Sequence, residues 1–212
     1  IEPVCRFLEG FDTTCGKYAV LGNHDYKSIR ATSWASWFYM LGRVVFLNNG
    51  RGLGEANDII LLSRKLAESG VCLLRNEVAG GKLPGGAEFQ VFGIDDPVSG
   101  RDNPAVLYPH INNAALRVVL THGPRAIAKL APLEPELVFC GHTHAGQIRL
   151  PVLGAITTRS DADRRRCSGL VQLDGCRLHI SPGVGAGRLF PLRMLARPEV
   201  TEIVLSVKNY NS

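Results

Sequence analysis

The chain has 212 residues, of which 45% are hydrophobic and 20% charged, and its formal net charge is +5. This length and composition predict a single domain, residues 1–212, with a sizeable core. The longest apolar runs, such as residues 59–62, are far shorter than the about 20 residues of a membrane-spanning helix. The positive charge favours anionic partners, but aromatic residues make up only 7% and do not interleave with basic ones, which argues against a nucleic-acid-binding module.

Apolar runs alternate with helical and loop segments along the chain, a pattern typical of a layered α/β fold. The predicted strands, in chain order, are 18–21, 88–94, 116–121, 137–140, 169–173, 177–181 and 199–207. The turn sequence Asp174-Gly175 predicts a hairpin between two of these strands, and Gly123-Pro124 opens a predicted helix at 124–130.

One aromatic segment lies between the first two predicted strands. Its apolar residues have the spacing of one helical face, namely Trp34, Trp37, Phe38 and Leu41. We expect this face to be core. The alternative is an exposed apolar lip that contacts a lipid or a protein partner.

The segment Gly141-His142-Thr143-His144 directly follows the predicted strand 137–140. Residues i and i+2 of extended chain share a face, so both imidazoles can enter one cleft at the carboxyl end of the strand. Neutral imidazole is the commonest ligand for first-row transition metals. The pattern therefore indicates a metal site, with two surface histidines on a loop as the alternative.

Two further strands also deliver a histidine beside a glycine. Gly22-Asn23-His24-Asp25 follows strand 18–21, and His122-Gly123 follows strand 116–121. Because carboxyl ends of parallel strands meet at one edge of a sheet, the repeated arrangement strengthens the prediction of a metal site there.

These three motifs, in this order, resemble those of the calcineurin-like metallophosphoesterases. The stretches 141–151 and 95–101 also look like the branch that contains bacterial membrane-linked phosphodiesterases and UDP-diacylglucosamine pyrophosphatases. The resemblance covers most of the chain. It implies an α/β fold in which a layered β-sandwich is flanked by helices, and a two-metal site.

The resemblance also implies which residues bind metal. Asn23, His122 and His142 would hold one divalent ion, and His144 would help to hold a second. Nitrogen and oxygen donors without a thiolate suit manganese, iron or zinc. The resemblance makes manganese or iron the first choice, with zinc as the alternative.

Two neighbouring residues are the catalytic candidates under the same resemblance. His24 would donate a proton to, or stabilise charge on, the leaving oxygen, and Asp25 would orient its ring. The competing interpretation of Asp25 is a helix cap.

The resemblance is incomplete at the amino-terminal side. The family's Asp-x-His and Gly-Asp-x-x-Asp motifs are absent, and the only acids before Gly22 are Glu2, Glu9 and Asp12. Because the first residue is Ile1 and the other ligands are intact, we expect the carboxyl-terminal part of a longer domain that lacks its first strands here. The alternative is a divergent member that has lost the bridging carboxylate.

The predicted function is therefore divalent-metal-dependent hydrolysis of a phosphodiester or pyrophosphate, with a non-catalytic binding or scaffold protein on the same fold as the alternative. The expected substrate is a phosphate-ester small molecule or a phospholipid-like molecule. The basic run at 164–166 is either a solvated loop or a contact to phosphate or an anionic membrane surface.

The six cysteines lack C-x-x-C spacing and are expected to be buried free thiols, which favours a cytoplasmic location. Any membrane association would come from the amino-terminal part outside the 212 residues.

Overall fold

The computed structural model describes residues 1–28, 34, 38, 55–156, 158, 167–186 and 192–206. Its α-helices are α1 (Glu2–Glu9), α2 (Asn23–Tyr26) and α3 (Ile59–Glu68), and 3-10 helices form at Pro104–His110, Pro124–Lys129, Ala131–Leu133 and His144–Gly146. The strands are β1 (Lys17–Ala19), β2 (Lys27–Ser28), β3 (Glu55–Ala56), β4 (Val71–Leu73), β5 (Glu77–Lys82), β6 (Glu88–Ile94), β7 (Leu116–Thr121), β8 (Leu137–Cys140), β9 (Arg149–Leu150), β10 (Gly154–Ala155), β11 (Gly169–Leu173) and β12 (Cys176–Ile180).

Within these residues, the largest sheet has six strands in the order β11-β12-β8-β7-β6-β5. Its four inner strands run parallel, and β5 and β11 pair antiparallel at the two edges. The inner strands are rich in Val, Leu, Ile and Phe, as expected of strands that are covered on both faces. Their parallel direction brings their carboxyl ends to one edge of the sheet, where Asp95, His122, Gly141 and Ser181 begin the connecting loops.

Each face of this sheet has its own core. One face carries the main apolar cluster, which packs against the 3-10 helices and includes Phe92, Ile94, Val119, Val138 and Leu133, each at most 1% exposed. The other face packs against the parallel pair β1 and β4 through Leu74, Phe89 and Val91. The contact is close, because a Cβ on Gly93 would lie 2.1 Å from the Cβ of Leu74. The sheet is therefore layered, and the end of β1 lies over its carboxyl edge.

The sequence prediction of a layered α/β fold is confirmed, and four predicted strands have the observed bounds, namely β6, β7, β8 and β11. The hairpin at Asp174-Gly175 is confirmed as well, since Leu173 pairs with Cys176 and Gly175 has φ of 80°. Hydrophobic patterning succeeds best at the inner strands β6, β7 and β8, which their neighbours cover, and it also identifies the edge strand β11, whose residues are partly or fully exposed.

The helix predicted at 124–130 is present as a 3-10 helix, Pro124–Lys129, which begins after Gly123 as expected. Two other sequence predictions are wrong. The stretch 199–206 is not a strand, and its Val200 and Val204 are 75% and 82% exposed, because among the described residues it finds no neighbouring strand to pair with. Trp34 and Phe38 are 79% and 62% exposed rather than core, while Trp37 and Leu41 lie outside the described residues.

All six cysteines are free, as predicted. Their burial is mixed: Cys5, Cys140 and Cys167 are buried, whereas Cys72 is exposed because alternate residues of the short strand β4 face solvent. Burial raises the pKa of the Cys140 thiol to about 12, so it is protonated and unreactive at neutral pH.

Among the described residues, none of the helices combines the length and the apolar character that crossing a membrane would require.

Candidate metal centre

The loop after β8 has an unusual backbone. His142, His144, Ala145 and Gln147 all have positive φ, between 49° and 68°, and Gly146 has φ of 80°. A left-handed conformation costs a non-glycine residue roughly 1–2 kcal/mol, so the surrounding contacts must hold this loop. Strain of this kind concentrates at functional sites, which makes the loop a functional candidate on conformational grounds alone.

Thr143 anchors the loop between the two histidines. Its side chain is 3% exposed, its hydroxyl donates to the carbonyl of Cys167 over 2.7 Å, and it accepts from the N–H of Ala145 over 3.3 Å. Thr143 is therefore buried at the centre of the motif, and the histidines on either side of it, His142 and His144, are partly exposed.

Arg193 fastens the same loop to the closing segment of the chain. Its guanidinium donates to five backbone carbonyls, those of His144, Pro182, Gly183, Gly185 and Ala196. An arginine has five N–H donors, so all of them are engaged. Arg193 therefore holds the loop and has no donor left for a substrate phosphate.

The second histidine element is the end of β7. The ring of His122 lies directly against the backbone of Gly22, because a Cβ at residue 22 would be 2.4 Å from Cε1 and 2.5 Å from Nδ1 of that ring. Only glycine permits this approach. Burial, followed by the neighbouring His142, His24 and His144, lowers the pKa of His122 to about 3. The imidazole is therefore neutral at neutral pH, the form that binds metal.

The third element is the short helix α2, which begins at Asn23 after β1. Asp25 accepts a hydrogen bond from the N–H of Gly22 over 2.7 Å, the cap that the sequence suggested as the alternative. Asn57 donates to the carbonyls of His24 and Asp25, over 3.0 Å each. The backbone of α2 is thus tied at both ends, and the side chain of His24 is exposed to solvent.

The three elements meet at the ring of His122. Its Nε2 lies 2.9 Å from Oδ1 of Asn23 and 3.1 Å from Nδ1 of His142. In the absence of an ion, Nε2 can satisfy both neighbours only as a bifurcated donor. Two donors that bind one ion at about 2.1 Å and at right angles are about 3.0 Å apart. The spacing and the chemistry of Asn23, His122 and His142 therefore fit one divalent transition-metal ion.

Carboxylates do not contribute to this cluster. Among the residues that the structure describes, no three His, Cys, Asp or Glu side chains are grouped so as to hold a metal, and the fit above depends on the amide of Asn23. The two acids that directly follow β6 already accept hydrogen bonds. Asp96 accepts from the N–H groups of Val98 and Ser99, and Asp95 accepts from the hydroxyl of Tyr26.

The structure thus brings together Asn23, His122 and His142, with His24 and His144 near enough to affect the pKa of His122. Gly22 is part of the predicted motif, but its contact with the His122 ring could not be predicted. Tyr26, Asp95 and Arg193 were not singled out from the sequence. Tyr26 directly follows the Asn-His-Asp motif, and that position was the available signal. Asp95 lies in the stretch 95–101, to which the resemblance gave no role.

Ala145 offers a direct test of the loop strain. Replacing it with glycine is expected to raise the free energy of unfolding by about 0.5–1 kcal/mol, because glycine relieves the left-handed strain but loses more entropy on folding. Chemical denaturation measures the change. Ala105→Gly in the exposed 3-10 helix is the control and should lower stability; a loss of stability in both variants would contradict a strained loop.

The chain is similar in sequence to several known proteins. No protein-family profile matches it, and neither does any solved structure. It is 26% identical over 208 residues to an uncharacterized metallophosphoesterase, YkuE, of Bacillus subtilis, covering 98% of this chain and 62% of that protein. It is 32% identical over 162 residues to the phosphodiesterase YaeI of Escherichia coli, covering 76% of this chain and 56% of that protein.

A transmembrane protein with a metallophosphoesterase domain from Danio rerio is 25% identical over 193 residues, covering 90% of this chain and 38% of that protein. The chain therefore spans about 56–62% of the length of the two bacterial relatives. With the α/β sheet and the histidine-bearing strand ends in place, these similarities to named metallophosphoesterases and a phosphodiesterase support the resemblance to the calcineurin-like metallophosphoesterase superfamily.

Proposed function

We propose that the chain carries part of the metal site of a divalent-metal-dependent phosphoesterase that hydrolyses phosphodiesters or pyrophosphates. The observation that carries this proposal is the contact of His122 Nε2 with both Asn23 and His142. Sequence similarity to relatives that are named metallophosphoesterase and phosphodiesterase supports it.

In this proposal Asn23, His122 and His142 hold one ion, and His144 helps to hold a second. Manganese or iron suits these nitrogen and oxygen donors, with zinc as the alternative. Two such ions would neutralise the phosphate oxygens and supply a water of lowered pKa. The neutral His122, pressed against Gly22, contributes a fixed donor that loses little entropy when the ion binds.

His24 is the proposed proton donor to the leaving oxygen. It lies next to the ligand Asn23 in α2, and its ring is exposed, so a substrate can reach it. A positioned general acid of this kind contributes about 10²–10⁴-fold to the rate. Asp25 acts beside it by capping α2, which fixes the backbone that carries His24.

The proposal leaves a bridging carboxylate to be supplied from outside the 212 residues, since the sequence contains neither Asp-x-His nor Gly-Asp-x-x-Asp. We therefore expect the isolated chain to bind one ion and to turn over slowly. The residues work as part of a single domain in this proposal, because helix α2 after β1 meets the ends of β7 and β8 at the ring of His122.

A phospholipid-like ester is the proposed substrate class. The hairpin β9–β10 follows the histidine loop, and its tip exposes Val152 by 95% and Leu153 by 69%. An exposed apolar tip on the hairpin that follows the histidine loop suits a substrate with an apolar tail or an anionic membrane surface. A cytoplasmic location, supported by the six free cysteines, belongs to the same proposal.

The test is metal-dependent hydrolysis by the purified 212-residue chain. With Mn²⁺, slow cleavage of a soluble aryl phosphodiester is expected, and a chelator should abolish it. A short-chain phospholipid should be cleaved faster, and Val152→Ser should slow only that reaction. Only weak Mn²⁺ binding, together with no cleavage of either substrate, would favour the alternative, a non-catalytic binding or scaffold protein.

A further inference from the structure

Tyr26 joins the ligand-bearing helix α2 to the end of β6. It is 7% exposed, and its hydroxyl donates to the carboxylate of Asp95, lying 2.5 Å from Oδ1 and 2.7 Å from Oδ2. Asp95 is itself 4% exposed. A buried, charge-assisted hydrogen bond of this length is among the stronger polar contacts available to a protein.

The acceptor is held from several sides. Asp95 Oδ1 also accepts from the N–H of Asp96 over 2.8 Å, and the N–H of Asp95 donates to the side chain of Asn76 over 3.2 Å. Nε of Arg75 lies 3.4 Å from Asp95 Oδ2 and 3.2 Å from the hydroxyl of Tyr26. The carboxylate is thus a fixed point on the sheet.

The ring of Tyr26 is confined as well. The guanidinium of Arg101 lies 4.1 Å from its centroid, and that of Arg75 lies 5.6 Å away. Burial and the bond to Asp95 raise the pKa of Tyr26 to about 12, so the phenol keeps its proton. Tyr26 is therefore a permanent donor to Asp95 and does not transfer a proton to a substrate.

Helix α2 has only four residues and no stability of its own. Asn23 and Tyr26 are three residues apart, so their side chains lie on the same face of the helix. A shift of the α2 backbone at Tyr26 would therefore move Asn23 as well. The position of Asn23 Oδ1, 2.9 Å from His122, depends on what holds Tyr26.

We propose that Tyr26 and Asp95 are positioning residues for the metal site, which hold α2 on the end of β6 so that Asn23 and His24 face His122. This inference rests on the proposed function. Neither residue touches the ion or the substrate, because the Tyr26 hydroxyl and both Asp95 oxygens are engaged with each other.

The experiment compares Tyr26→Phe, Asp95→Ala and Asp95→Asn with the intact chain, using Mn²⁺ affinity by calorimetry and amide hydrogen exchange. Tyr26→Phe and Asp95→Ala should weaken Mn²⁺ binding by about 10–100-fold, the range for groups that orient metal ligands. Asp95→Asn keeps an oxygen that accepts from Tyr26 and should lose less. Exchange should become faster at residues 23–26 and stay unchanged in β8.

The matched control is Tyr108→Phe, which removes one phenol hydroxyl that donates to the carbonyl of Lys129 on the opposite layer. It should leave Mn²⁺ affinity and exchange at 23–26 unchanged. An unchanged affinity in Tyr26→Phe would overturn the proposal, and so would faster exchange that extends through β8, which indicates a general structural role.

The proposed function and this inference can fail separately. If the intact chain binds no Mn²⁺, the proposed function is wrong, and the exchange data alone decide the inference. Faster exchange confined to residues 23–26 in Tyr26→Phe would then still support the positioning of α2, whereas unchanged exchange there would overturn it.

Discussion

Replacing His122 with alanine is expected to weaken Mn²⁺ binding more than about 100-fold, beyond the about 10–100-fold that loss of a supporting residue costs. His122 has the largest expected effect because its Nε2 lies within 3.1 Å of both other donors, Asn23 Oδ1 and His142 Nδ1. Without the His122 imidazole, Asn23 and His142 lose the donor that lies between them. Calorimetric titration with Mn²⁺ measures the loss.

His110→Ala is the matched control for this prediction, because it removes an exposed histidine from the 3-10 helix Pro104–His110, away from the cluster. Its affinity should equal that of the unaltered chain. Equal Mn²⁺ affinities for the His122 and His110 variants would show that binding occurs elsewhere.

Gly22→Ala is expected to impair both stability and metal binding. The new Cβ would lie 2.4 Å from Cε1 of His122, a distance that real side chains do not tolerate, so the ring must move away from Asn23. Overpacking of this kind typically costs about 1–3 kcal/mol. Thermal denaturation and Mn²⁺ titration measure the two effects.

The control glycine is Gly185, where an added Cβ meets no atom within 4 Å and the backbone is not left-handed. Gly185→Ala should leave both measurements unchanged. If Gly22→Ala also left Mn²⁺ affinity unchanged, the observed contact between Gly22 and the His122 ring would not control the site.

The parallel strands and their histidines could be predicted from the sequence because both are local signals. A buried strand is a short apolar run, and the residues after it necessarily reach the edge of the sheet. This is why His122 and His142 were correctly placed at neighbouring strand ends, and why Gly141 was expected to open the loop.

The contacts that hold the site residues in place could not be predicted, because they join parts of the chain that are distant in sequence. Gly22 against His122, and Tyr26 against Asp95, are pairs that no local pattern links. The N–H groups of Arg193 likewise donate to backbone carbonyls, and no sequence pattern marks a carbonyl as an acceptor.

The strand predicted at 199–207 is a different case, because here the local signal is present and the strand is not. Its β-branched residues have strand propensity, but propensity describes how a residue fits a sheet and does not provide the neighbouring strand. The described part of this segment instead contacts Gly183 through the N–H of Glu199. A similar limit applies to Asp25, where one carboxylate could cap the helix or orient His24, and the observed bond to Gly22 shows the cap.

The most direct test of the proposed metal site is anomalous diffraction from crystals of the chain grown with Mn²⁺. One strong peak is expected within bonding distance of Asn23, His122 and His142, with the ring of His122 still packed on Gly22. A peak at other residues, or no peak between these three side chains under saturating Mn²⁺, would show that the site is wrongly assigned.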